Sequence, residues 1–299
     1  MKRFIVNNFT LVMLFGCIVG LFIPKLGAFT SKGIPFLLGT VIFSSMFKID
    51  MDKDAMKKDL SKASVYYILR FVALPVVLFY LFKPLSDFYS SALFLLSLLP
   101  VAVSAPAFTE IFKGDVTLSI TSVVLSNALS PFVIPFMCSF FLRNTQPIDS
   151  MKMFETLAYT VILPIILHFP FRSQTKFKNW VLNNNAVITV VCIATLFAMA
   201  ISKFKFEILA HYHILPLYLA LSFVVYGLLY VIGWYIVPKA AKNDRISYSV
   251  GSGANNIGLG VALTIIYFPA ELNILFIVSQ IMWTLVLFPV KRVAKYIIA

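Results

Sequence analysis

Stretches of about twenty residues almost free of charge recur along this sequence. Each is long enough to cross the roughly 30 Å hydrocarbon core of a bilayer as a helix. Bounded by charges or turn residues, they fall near 7–23, 34–48, 63–82, 86–112, 115–142, 152–171, 185–202, 208–237, 246–268 and 271–290. A soluble domain carries about a quarter of its residues as charges, whereas here 12% are charged and 60% are hydrophobic. The expected fold is therefore an all-α polytopic membrane protein of about ten transmembrane helices, with the lipid bilayer as its solvent. The second stretch is short and is expected to tilt or to be partly re-entrant. Ahead of the third, Met51, Met56 and Leu60 share one face of a charged segment, which predicts a short interfacial helix from Asp50 to Leu60.

The chain has 25 Lys and Arg against 12 Asp and Glu, a net charge of +13. In a soluble protein such an excess points to nucleic acid; in a membrane protein the positions of the cations matter more, because short cytoplasmic loops retain them. With the N-terminus inside, 17 of the 25 fall in cytoplasmic segments and 7 in outside loops, which leaves Arg70 within a span. Both termini are predicted to be cytoplasmic, in a plasma membrane, with no nucleic-acid partner. Lys2-Arg3 followed by Leu14-Phe15-Gly16-Cys17 has the outline of a lipoprotein signal. The apolar run continues to Ile23 without a small-residue cleavage site, so it is read as a span. Cys17, Cys138 and Cys192 lie in apolar stretches without metal-ligand spacing and read as packing residues.

Ten spans divide as five and five, 1–145 and 146–299, and an odd number per half sets the halves in opposite orientations. Inverted repeats mark secondary transporters, whose sites lie where discontinuous helices of the two halves meet. The fourth stretch holds Leu99-Pro100-Val101-Ala102-Val103-Ser104-Ala105-Pro106, and the ninth holds Gly251-Ser252-Gly253-Ala254-Asn255-Asn256-Ile257-Gly258-Leu259-Gly260. Proline removes a donor and glycine raises the entropic cost of helix. Unwound backbone at membrane depth is tolerated only where protein buries it or a cavity solvates it. Glycine and proline also serve ordinary packing in membrane helices, but a matched pair of breaks favours a site.

These stretches and their surroundings resemble the bile acid:sodium symporter family and the superfamily that also holds arsenite efflux carriers. Lys113-Gly114-Asp115-Val116-Thr117-Leu118-Ser119, with Asn127-Ala128-Leu129-Ser130-Pro131, is similar to the family's fourth-to-fifth helix segment. Ser252 to Leu259 is similar to its ninth-helix Glu-x-Gly-x-Gln-Asn-x-Gly motif, and Arg70-Phe71-Val72-Ala73-Leu74-Pro75 to its third-helix Gln-Phe-x-x-x-Pro. Met46 to Leu60 resembles the segment after helix two. The resemblance implies a six-helix core domain with crossed fourth and ninth helices, a four-helix panel domain, and substrate in the cleft between them.

It also implies departures at the positions that hold two Na⁺ in sodium-coupled members. The family's Ser-Asn pair falls on Ala105 and Pro106, a fifth-helix threonine on Val123, the ninth-helix glutamate on Gly251, and the third-helix glutamine on Arg70. Ser119, Asn255 and Asn256 are what remains of a degenerate sodium site. No other cofactor or metal is implied. The candidate substrate- or ion-binding residues are Arg70, Ser104, Pro106, Ser119, Ser122, Asn127, Gly251, Ser252, Asn255 and Asn256. For Arg70 three readings stand together. It snorkels to the cytoplasmic headgroups, or it replaces a lost Na⁺ among the carbonyls and amides of the 251–256 break, or it attracts an anionic substrate. His168 is a proton-carrier candidate, since histidine titrates near neutral pH; near a cytoplasmic end with Arg172 close by, it reads first as a structural or interfacial residue. Glu110 is expected at a helix end, buried or paired with Lys113, and Ser126, Gln280 and Thr284 to line a polar path or bond between helices.

The leading functional expectation is a secondary transporter of a small organic anion (bile-acid-like, a carboxylate or a related solute) working by alternating access, with classical two-sodium coupling lost or altered and a proton, a counter-substrate or no ion in its place. A sodium-coupled symporter with altered ion sites and a non-transporting receptor are the alternatives. An enzyme is not expected, because the sequence has no His-Glu-x-x-His, no Gly-x-Ser-x-Gly and no phosphate-loop pattern.

Overall fold

A computed structural model describes residues 9–48, 53–143 and 148–298. Helix α1 is Phe9–Phe22, and a 3₁₀ stretch, Pro24–Phe29, leads into α2, Thr30–Met46. Helix α3 (Lys53–Tyr67) passes through a π-helical turn, Ile68–Ala73, into α4 (Leu74–Phe82). Next come α5 (Asp87–Leu98), α6 (Ala105–Ile111) and α7 (Val116–Phe141). Helix α8 (Ser150–Leu157) passes through a second π-helical turn, Ala158–Ile162, into α9 (Leu163–Phe171). The chain continues as α10 (Thr175–Ala210), α11 (Leu215–Tyr235), α12 (Lys242–Gly253), α13 (Ile257–Tyr267) and α14 (Ala270–Ile298). Among the described residues the fold is all-helical, without a β-strand.

Seven helical stretches among the described residues are long and apolar enough to cross a membrane: Pro24–Met46, Asp54–Phe82, Val116–Phe141, Ser150–Phe171, Thr175–Ala210, Tyr212–Tyr235 and Ala270–Arg292. The fourth and ninth predicted spans are each split, into α5 with α6 and α12 with α13. The second span is not short, because helical backbone begins at Pro24. No separate interfacial helix precedes the third: from Lys53 onward the backbone is one rod, since nothing in Ser61-Lys62-Ala63 stops a helix. Residues Asp50 to Asp52 of that prediction lie outside the described residues. Both π-helical turns sit just ahead of a proline, Pro75 or Pro164. The absent proline N–H removes one helical bond, and a wider turn absorbs the mismatch.

The chain divides into two compact units, each assembled from three separated segments. The first takes Met1–Asp50, Asp149–Tyr212 and Val261–Ile277; the second takes Met51–Ile148, His213–Gly260 and Val278–Ala299. In the first unit α1 lies against α10 at very short range. A Cβ on Gly16 would stand 2.6 Å from the Ala194 carbonyl oxygen, and one on Gly20 closer still to that of Ala198. Small residues four apart let membrane helices approach this closely. Ser202 on α10 accepts the Gly27 N–H at 2.9 Å, and Asn185 donates to Ser44 at 3.1 Å.

The second unit is built around α3, α7 and the broken helices. Phe79, Phe94 and Phe141 form an aromatic cluster with centroids 5.5–5.8 Å apart. Tyr66 stacks on Tyr248 at 4.8 Å. Lys62 of α3 pairs with Asp244 of α12 at 3.0 Å.

Candidate functional site

Two breaks in helix meet within the second unit. Pro100 bars helical geometry at the residue before it, and Leu99 is accordingly extended (φ −63°, ψ 136°) at the end of α5. The stretch between α12 and α13 runs antiparallel to this one, with Val101 opposite Asn255. Ala102 donates its N–H to the Ala254 carbonyl at 2.7 Å, and Asn256 donates to the Pro100 carbonyl at 2.8 Å. An unsatisfied backbone group in an apolar medium costs several kcal/mol, and here α7 satisfies what the bridge leaves. Ser126 Oγ accepts the Val101 N–H at 3.1 Å, and Asn127 Nδ2 donates to the Val101 and Val123 carbonyls at 2.9 Å each.

The π-helical turn presents Arg70 to this crossover. Its side chain is fully buried. Nη1 donates to the Ser97 carbonyl at 2.5 Å, and Nη2 donates to the Ser252 carbonyl at 2.9 Å and to Asn255 Oδ1 at 3.2 Å. Asn255 Nδ2 in turn donates to the Leu96 carbonyl at 2.8 Å. Leu96 and Ser97 lie in the last turn of α5, and Ser252 in the last turn of α12. Such turns carry unpaired carbonyls and the negative end of the helix dipole. The guanidinium therefore sits where two C-terminal helix ends converge, and among the described residues no carboxylate pairs with it. Snorkelling to the headgroups is ruled out by this burial.

Gly251, the position the resemblance gives to a glutamate, faces Tyr66: a Cβ there would stand 2.9 Å from the Tyr66 hydroxyl. That hydroxyl bonds Ser252 Oγ at 3.1 Å. Tyr66 is a site residue that the sequence did not single out. Its signal is the four-residue step to Arg70, which puts both on one helix face. The remnant sodium site does not fit an ion. Asn255 is engaged by Arg70 and Leu96, Asn256 Oδ1 accepts the Leu259 N–H at 3.3 Å and so caps α13, and Ser119 bonds Thr109 at 3.1 Å. Ser122 is buried and bonds back to the Leu118 carbonyl at 2.8 Å.

Ser104 and Pro106 open α6, Ser104 being exposed, and neither touches Arg70 through a hydrogen bond. His168 belongs to the first unit, where it is buried edge-on against Phe47 at 4.3 Å. Glu110 is exposed rather than buried, and no Glu110–Lys113 ion pair occurs among the described residues. Gln280 is buried, and the side chain of Thr284 lies outside the described residues.

Residues 35–211, more than half of the chain, match the model of the sodium bile acid symporter family. The chain belongs to that family. It is accordingly an integral membrane protein of a transporter family. Among curated relatives, the uncharacterized protein YbaS of Bacillus subtilis (strain 168) is 20% identical over 193 residues. The similarity covers 61% of this chain and 61% of the relative's own length. The family match includes Arg70, Tyr66 and the first break of the crossover, while the second break, at 254–256, lies beyond it.

Proposed function

We propose that this chain is a secondary carrier of a small organic anion, that it works by alternating access, and that Na⁺ does not drive it. The reading includes a ten-helix inverted repeat with halves 1–145 and 146–299, a core domain and a panel domain. It also includes both termini in the cytoplasm, at a bacterial inner membrane. Membership of a symporter family supports carriage, and the paired breaks of α5–α6 and α12–α13 have the form of a transporter site.

The observation that carries the sodium clause is the burial of Arg70 at the crossover. Its guanidinium takes the Ser97 and Ser252 carbonyls and the Asn255 amide oxygen. All three are hard oxygens, the kind of ligand that a hard cation takes, and Asn255 belongs to the remnant sodium set. A tethered positive charge occupies the meeting point of two negative helix ends and makes a diffusible one redundant. Among the described residues no carboxylate pairs with the guanidinium, so the crossover keeps a net positive charge whose field favours an anionic substrate.

Reconstitution into proteoliposomes tests both clauses. Labelled small carboxylates are expected to exchange saturably across the membrane, at a rate unchanged when an inward Na⁺ gradient is replaced by choline. Steep acceleration by Na⁺ would sink the sodium clause and leave a sodium-coupled symporter. Binding without exchange would sink the carrier reading and leave a receptor.

A further inference from the structure

The second unit also contains an apolar groove of about 510 Å³ that the crossover does not use. Its walls are the C-terminal half of α11, the α12 residues Ile246 and Val250, and the α14 residues Val286 and Val290. Along α11 the lining runs from Phe223 to Tyr235, and both of these are exposed. Twelve residues of helix span about 18 Å, close to the depth of one leaflet of a hydrocarbon core about 30 Å thick.

Cations gather at one end of the groove. Lys239 follows the last lining residue of α11, Lys242 and Arg245 precede Ile246 on α12, and Lys291 and Arg292 follow Val290 on α14. All three walls thus end in basic residues on the same side. Asp244, the acidic residue among them, is held by Lys62 at 3.0 Å. Deeper in the wall lies Tyr230, whose ring is buried. It lies five residues before Tyr235, about 7.5 Å along the helix.

We propose that this groove binds an anionic phospholipid, with an acyl chain between α11, α12 and α14 and the phosphate against the cations at its mouth. Basic pockets between helices on the cytoplasmic side recognise anionic lipid in this way. The inference needs the chain to lie in a membrane and is independent of the carrier and sodium readings.

The test is native mass spectrometry of the purified full chain, offered equal amounts of phosphatidylglycerol and phosphatidylcholine. Wild type is expected to retain phosphatidylglycerol preferentially. In the double variant Lys291→Gln/Arg292→Gln, both positions being exposed, retention should fall by roughly fivefold per cation removed. Gly227 lines the groove, and a Cβ built there meets nothing within 4 Å, so Gly227→Phe fills the groove without a backbone clash and should abolish retention. Equal retention of the two lipids by wild type, or retention unchanged in Gly227→Phe, would overturn the proposal. So would displacement of the lipid by inorganic phosphate, because a site that phosphate alone can occupy has no need of the acyl chain.

Discussion

Arg70 reaches Asn255 across 185 residues of sequence and donates to its amide oxygen at 3.2 Å. The same amide passes the interaction on to the end of α5 through Leu96. One cation therefore ties together the third span, the first break and the second break.

Replacing Arg70 by alanine strips partners from the Ser97 and Ser252 carbonyls at once. Each orphaned buried acceptor costs about 1–3 kcal/mol, so thermal unfolding in detergent should move sharply downward. Lysine should restore little, because an ammonium lacks the planar fork that serves three acceptors. Millimolar guanidinium should raise the melting temperature of Arg70→Ala, and sodium at equal ionic strength should not. Equal rescue by both ions would show a site that selects charge and not shape.

Asn127 and Ser122 are both buried polar residues of α7, yet opposite outcomes are expected for them. Asn127→Ala removes both donations to the Val101 and Val123 carbonyls and should cost about 1–3 kcal/mol. Ser122→Ala removes a bond to its own helix and should cost less than about 1 kcal/mol. Chemical unfolding of the two variants side by side checks the contrast.

Gly251→Ala places a methyl group 2.9 Å from the Tyr66 hydroxyl, and overpacking of this kind costs about 1–3 kcal/mol. Deleting that hydroxyl with Tyr66→Phe should relieve most of the penalty. In a double-mutant cycle the pair should be clearly less destabilising than the sum of the singles; strict additivity would separate the two residues.

In the first unit, Gly20→Leu forces α1 off the Ala198 carbonyl and should lower the melting temperature more than Leu at the open Gly227 of the second unit. The measurement is a thermal scan of both variants with wild type in the same detergent.

The sequence made the two breaks legible because proline and glycine act on the residues beside them. Pro100 bends Leu99 wherever it stands, and the glycine-rich stretch from Gly251 to Asn256 carries a helix poorly, which here stops after Gly253. Helix ends were less legible: Lys53 to Lys62 has the charge of an interfacial segment, but the apolar rod begins inside it. The contacts of Arg70 with Ser252 and of Tyr66 with Ser252 join residues more than 180 apart, and no local preference records such pairs. Nor does any stretch of sequence record that each compact unit draws on three separated segments. The four-residue spacing of Gly16 and Gly20 is visible in the chain, but the Ala194 and Ala198 carbonyls that require it are not.

The bonds from Ala102 to Ala254 and from Asn256 to Pro100 rivet the two breaks to each other. A riveted joint transmits displacement and does not itself flex. The Ala102 and Asn256 amides should then exchange with deuterium as slowly as those of the central turns of α7, and any displacement of one break carries the other with it.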